Sequence, residues 1–308
     1  MKGDKAILGN KSGYCMRLAN GQGWHLIATE GVGSWLEKLA SIMQLKTCDG
    51  NGYPKLIFSR KEKGEEWLEE PICCLDSNLQ EKFPSSDWKI RKSHAIQIWS
   101  HCDVPDVFCE IGDEEGHELG ILRMLLALHP IFERAQYSGG LPFHAALIER
   151  NGIGILLAAP GNTGKSTCCR RLRGLWNPVC DDETLVVRDD KERYLIHPLP
   201  TWSDYLMKRS ERTWNVQKYL PLSAMFFLEQ AETDEVVPIG QGQAATHAYR
   251  SVTQVCHRNW MNLDREELRA YRKKIFNNTC ELAGAVPEFK LRVSLKGRFW
   301  EQMEKVLF

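Results

Sequence analysis

The sequence predicts an α/β protein of the mixed, α+β kind, with a smaller α+β domain over residues 1–138 and a second domain over residues 139–308. Three observations carry this. Strand-like and helix-like stretches are mixed through the first half. The apolar run Ile153 to Ala158 breaks into Pro160, Gly161 and Gly164 before helix-compatible residues resume, which reads as strand, loop, helix. The stretch Ser138-Gly139-Gly140-Leu141-Pro142 punctuates the chain between the two parts.

Composition narrows the function. Forty Lys and Arg balance forty Asp and Glu, so no long-range field draws the chain to nucleic acid or an anionic membrane. The first residues lack an apolar signal core and no run approaches the length needed to cross a bilayer, so a cytoplasmic protein with no membrane partner is expected. The eleven cysteines are odd in number, include the neighbours Cys73-Cys74 and Cys168-Cys169, and form no Cys-x-x-Cys pair. Buried free thiols are expected, rather than disulfides or zinc.

In chain order, Ser12 to Glu30 reads as two strands around Asn20-Gly21-Gln22-Gly23. Ser34-x-x-Glu37 has the form of a capping box, and Leu36, Leu39, Ala40 and Met43 follow at helical spacing, predicting a helix from Ser34 to Leu45. Lys55 to Arg60 is strand-like, Lys61 to Glu70 a charged connection, and Trp88 to Ser100 and Asp106 to Ile111 further strands. Glu118 to Tyr137 predicts one long helix buried between layers. Phe143 to Glu149 and Ile153 to Ala159 form a hairpin around Asn151-Gly152. A short helix follows Lys165, then a strand from Pro178 to Val187 and its hairpin partner Tyr194 to Ile196. Strands at Ala224 to Leu228, Val236 to Ile239 and Phe289 to Ser294, with helices at Gly242 to Trp260, Asp264 to Leu282 and Gly297 to Leu307, complete the chain.

The loop from Pro160 through Gly161, Asn162, Thr163 and Gly164 to Lys165, Ser166 and Thr167 has the composition of a phosphate cradle. Small residues let backbone N–H groups turn onto an anion at a helix start. Lys165 adds a point charge for the β/γ-phosphates of ATP, and the Ser166 hydroxyl sits where Mg²⁺ bridges them. The P-loop pattern departs only at its first position, where Ala159 replaces Gly. Phosphoryl transfer also needs carboxylates, and Asp181 and Asp182 follow at a distance that one helix and a return strand would fold back. Adjacent strand residues point to opposite faces, so both reach one site only near a strand end or bulge. His144, on the first arm of the hairpin, is a candidate partner for a carboxylate or phosphate oxygen.

These segments resemble a known family. Phe143-His144-Ala145-Ala146-Leu147-Ile148-Glu149, the strand Gly152 to Leu157, the loop through Ser166 and Cys180-Asp181-Asp182 are similar to the core of HPr serine kinase/phosphorylase, which shares a P-loop fold with phosphoenolpyruvate carboxykinase. More closely, Ala158 to Leu172 with His197-Pro198-Leu199-Pro200-Thr201-Trp202-Ser203 resembles the SynChlorMet cassette protein C group, over most of the chain.

The resemblance implies a kinase-like enzyme of a peptide-maturation cassette. A precursor peptide or carrier protein would be the acceptor, with radical-SAM enzymes and a small peptide-binding protein as neighbours. His144 and Asp181 match the catalytic His and first Asp, and Asp182 the second Asp near metal; Lys165 and Ser166 keep their P-loop roles. Thr167 stands where HPr kinases have Glu, and no Arg-Gly-x-Gly follows the Asp pair, which directs the expectation away from HPr itself. Self-association is left open. So are two other readings, a nucleotide-responsive binding module without phosphotransfer and a small-molecule kinase.

Overall fold

In the computed structural model the described residues are 13–308, apart from 51, 76–82, 94, 115, 162, 173, 175 and 260–262. Strands β1 (Gly13–Arg17) and β2 (Gly23–Ala28) form the expected antiparallel hairpin. They are joined by β3 (Lys46–Cys48), β4 (Lys55–Arg60), β5 (Lys89–Lys92), β6 (Ile96–His101) and β7 (Val104–Ile111) in a mixed sheet of order β3-β1-β2-β4-β7-β6-β5. The pairs β2–β4 and β4–β7 are parallel. Helix α1 (Gly33–Ile42) buries Trp35, Leu36, Leu39, Ala40 and Ile42, the stripe that its 3.6-residue periodicity predicts. The capping box expected at Ser34 is not formed: Val32 is the N-cap, and no side chain caps the helix.

Helix α2 (Ile72–Leu75) is a single turn. The long helix expected over Glu118 to Tyr137 is two, α3 (His117–Leu126) and α4 (His129–Tyr137). Pro130 sits in the first turn of α4, where its missing N–H costs nothing, whereas within one continuous helix it would remove a hydrogen bond and clash with the preceding turn. Both helices lie between the layers as expected. Met124, Leu125, Ile131 and Phe132 share one buried cluster with Trp24 and Phe58 of the first sheet and with Leu141 and Val186 of the second.

Hydrogen bonds tie the halves as well. Ala19 N donates to His197 Nε2 at 3.0 Å, while His197 Nδ1 donates to Val216 O at 2.9 Å, and Trp214 N donates to Ile42 O at 2.8 Å. Burial holds the pKa of His197 down at about 4, so the ring is neutral and its tautomer is set by these two partners.

The second mixed sheet comprises β8 (Leu141–Phe143), β9 (Ala145–Arg150), β10 (Ile153–Ala158), β11 (Asn177–Cys180), β12 (Thr184–Arg188), β13 (Tyr194–Pro198) and β14 (Leu220–Gln230), with β15 (Glu235–Pro238) and β16 (Glu288–Val293). The predicted β9–β10 hairpin is present, with φ of 54° at Asn151 and 79° at Gly152, the positive values that an Asn-Gly two-residue turn supplies. Strands β10, β14 and β16 run parallel.

Alternation puts Ile155, Leu157, Phe226 and Leu291 on one face, packed with Cys169 of α5 (Lys165–Arg171) and with Phe299 and Met303 of a C-terminal helix over Phe299–Leu307. Leu147, Leu156 and Met225 belong instead to the cluster holding Val252, Val255, Ile275 and Leu282, from helices over Gln241–Cys256 and Arg265–Ala285. The short α6 (Trp202–Leu206) precedes β14; in order the remaining helices are α7 (Gln241–Cys256), α8 (Arg265–Ala285) and α9 (Phe299–Leu307). Helix α7 ends at Cys256, short of the expected Trp260, which lies outside the described residues. Helix α8 carries a complete capping box, Asp264 with Glu267.

The thiol expectation needs correction. Cys15 and Cys48 form a disulfide, because β3 pairs antiparallel with β1 and brings their Cα atoms to 5.8 Å. Most of the other described cysteines are buried and free, as expected.

Two positions carry stability predictions. A Cβ on Gly154 would lie 2.9 Å from Ile196 Cγ2 and 3.0 Å from Leu220 Cβ, so Gly154→Val should lower unfolding free energy by about 1–3 kcal/mol in denaturant titrations. Glu288 is buried, neither carboxylate oxygen has a partner among the described residues, and burial raises its pKa to about 8. Between the ordinary carboxylate pKa and 8 the folded chain holds a proton that the unfolded chain has lost. Stability therefore falls as pH rises through that window, by up to about 1.4 kcal/mol per unit. Glu288→Gln should flatten this dependence relative to wild type and be the more stable protein at pH 8.

Candidate functional site

The site arises where two neighbouring strands are interrupted together. The strand expected over Phe143 to Glu149 is β8 and β9, broken at His144; the one expected over Pro178 to Val187 is β11 and β12, broken at Asp181, Asp182 and Glu183. Strand β12 pairs with β8, whereas β11 pairs with β9. Both chains therefore leave one part of the sheet and enter the other at a common level, with Thr184 opposite Phe143 and Cys180 opposite Leu147. This is the strand-end geometry that two adjacent aspartates need in order to serve one site.

Across the gap, His144 Nδ1 lies 3.3 Å from Asp182 Oδ1, and His144 Nε2 lies 2.9 Å from Lys165 Nζ. An ammonium has only donors, so Nε2 accepts and the ring proton on Nδ1 faces the carboxylate. Lys165 Nζ also donates to Ala159 O at 2.9 Å, folding the side chain of the first α5 residue back over the loop start.

Burial lowers the pKa of Lys165, opposed by the nearby charges of Asp182 and Asp181. Burial also disfavours charge on Asp182. There the hydrogen bond from His144, with the Ser203 amide and Arg258, outweighs it and holds the carboxyl below its usual range. Asp181 Oδ1 accepts from Thr201 Oγ1 at 2.8 Å, and Ser203 N approaches Asp182 Oδ2 at 3.4 Å, so the start of α6 orients both carboxylates. The residues Thr201 to Ser203 are the same ones that carry the sequence resemblance.

The loop between β10 and α5 turns at Gly164, whose φ of 108° belongs to glycine. No side chain caps α5, and a Cβ built on Gly161 or Gly164 would meet nothing within 4 Å, which leaves open space over the loop. Pro160, Gly161 and Ser166 are exposed, and Thr163, Gly164 and Thr167 partly so. Asn162 lies outside the described residues. The donor set suits a magnesium polyphosphate: a hydroxyl at Ser166, an ionised carboxylate at Asp182 and loop amides at a helix start.

Sequence reasoning missed the third acid. Glu183 is 1% exposed, and Arg258 Nη1, from the 3₁₀ turn His257–Asn259, donates to its Oε1 at 2.6 Å. Burial raises the Glu183 pKa despite Arg258, and Oε2 has no partner among the described residues. The clue was present in Asp181-Asp182-Glu183, where the third carboxylate, with Thr184, directly precedes the apolar run Leu185-Val186-Val187. Arg258→Ala should cost about 2–4 kcal/mol in denaturant titrations by leaving that carboxyl unpaired, and adding Glu183→Gln should restore most of the loss.

Among the described residues no helix is long and apolar enough to cross a membrane. Residues 107–308, about two-thirds of the chain, match the family model described as SynChlorMet cassette protein ScmC. A search of curated proteins finds no match.

Proposed function

The chain belongs to the SynChlorMet cassette protein ScmC family, and on that premise we propose that it is an ATP- and Mg²⁺-dependent phosphotransferase related to HPr serine kinase/phosphorylase. Its acceptor is a hydroxyl, on a Ser or Thr of a precursor peptide or carrier protein of the same cassette. Family membership supports partners within a cassette, with radical-SAM enzymes and a small peptide-binding protein as the specific candidates.

The observation that carries the reading is the continuous chain from Lys165 Nζ through the His144 ring to Asp182, set at the end of a strand–loop–helix with P-loop spacing. A structural lysine seldom has this setting, since burying an ammonium is costly unless it is paired. In the proposed reaction Lys165 and the loop amides stabilise charge on the transferred phosphoryl. Mg²⁺, held by Ser166 and Asp182, would neutralise the β- and γ-oxygens. Asp181 accepts the proton of the attacking hydroxyl, with Thr201 fixing its orientation. His144 holds Asp182 ionised and keeps Lys165 aimed along the loop start.

Mass spectrometry after incubation with ATP, Mg²⁺ and cassette peptides tests this. Phosphate should appear on a peptide Ser or Thr, Lys165→Ala and Asp181→Asn should each slow transfer by about 10²-fold or more, and calorimetry should show that Lys165→Ala weakens ATP binding. Transfer by either variant at the wild-type rate would overturn the mechanism.

A further inference from the structure

Beside Pro160, where β10 gives way to the loop, lies a cavity of about 230 Å³ whose position and charge are informative. Helix α7 borders it with His247, Arg250, Ser251 and Gln254, which share one helix face by their spacing. That face is pinned to the candidate site: His144 N donates to Ser251 O at 3.3 Å, and Ser251 Oγ donates to His144 O at 3.1 Å. Phe227 of β14, paired with the last β10 residue Ala158, forms an apolar wall on which the His247 ring stacks at 5.0 Å.

The charges around this space do not cancel. Lys290 and Glu229 pair at 2.9 Å. Burial, reinforced by Arg250 and Lys290, lowers the His247 pKa, so that ring is neutral near pH 7. Arg250 has no hydrogen-bond or ion-pair partner for its guanidinium among the described residues. The wall thus carries one uncompensated cation of the type suited to grip a carboxylate through two parallel hydrogen bonds.

Position indicates what the cation serves. The lysine of a P-loop reaches the β- and γ-phosphates, and Lys165 Nζ rests on Ala159 O, in the wall of this cavity. The amides of the α5 start lie at the other end of the loop. The cavity therefore borders the outer end of a bound polyphosphate, the side from which an acceptor must approach.

We propose that this cavity is an acceptor subsite taking a carboxylate carried beside the acceptor hydroxyl, held by Arg250. The assignment rests on the phosphotransferase reading for the name acceptor, while the binding itself is measurable without turnover. Its volume admits one side chain, and the apolar Phe227 wall favours the methylene of an acidic residue over a hydrated ion.

The test titrates the full-length protein, with Mg²⁺ and a non-hydrolysable ATP analogue, against three probes. These are a peptide with Asp on both sides of Ser, its isostere with Asn in those places, and free L-serine. Wild type should bind the acidic peptide at least ten times more tightly than the isostere, and Arg250→Gln should remove the difference with an unchanged thermal midpoint, because Arg250 is exposed. Lys290→Gln, as a second variant, should retain the preference. Arg250-dependent binding of L-serine but of neither peptide would keep the subsite and make its carboxylate that of a free hydroxy amino acid. Equal binding of the peptides by wild type, without such L-serine binding, would overturn the assignment, as would a preference that survives in Arg250→Gln. An Arg250-dependent preference with no phosphate transferred to any probe once ATP replaces the analogue would leave the subsite standing and remove the kinase reading instead.

Discussion

A coincident interruption of two paired strands is the constraint on which the site depends. Backbone at a sheet interior must be hydrogen-bonded, so a lone break in β8–β9 would strand polar groups. The facing break between β11 and β12 resolves this by letting both chains change partners at the same level. The residues released from ladder pairing, His144 on one chain and Asp181 with Asp182 on the other, then face each other instead of alternating across a pleat. Lys165 joins them because the loop folds its side chain back over Ala159. The side-chain cluster here is a by-product of how a sheet changes partners.

The surrounding layers hold that gap open. Helices α5 and α9 cover one face of β10 and α7 with α8 the other, so the strand is buried on both sides and reads as the nearly unbroken apolar run Ile153 to Ala158. Gly154 is required because Ile196 and Leu220 approach too closely for any side chain. The buried Glu183–Arg258 pair fixes the end of α7 to the strand carrying the aspartates, and the Ser251–His144 bonds fix its middle to the opposing strand. One helix therefore braces both sides of the interruption.

Much of this was legible in the residues. The hairpin around Asn151-Gly152, the short helix after Lys165 and the mixed α+β character follow from turn chemistry and periodicity, which act locally. The breaks at His144 and Asp181 did not show, because each is set by the other chain and leaves the apolar pattern of its own strand intact. Pro130 was a visible signal for two helices that periodicity alone runs together. The Cys15–Cys48 bond was hidden for a different reason: its second cysteine lies on the three-residue β3, too short to register as a strand, so nothing suggested that the two sulfurs approach. Ser34 shows the converse, a motif without its geometry, since α1 begins before it.

The family match begins at residue 107, inside β7, the strand that lies between β4 and β6 in the first sheet. Excising the matched portion would orphan that ribbon: its ladder groups would lose their partners on both flanks, and the apolar undersides of α3 and α4 would be laid bare to solvent. The amino-terminal sheet is thus the chaperoning half of this molecule, shielding a sticky seam.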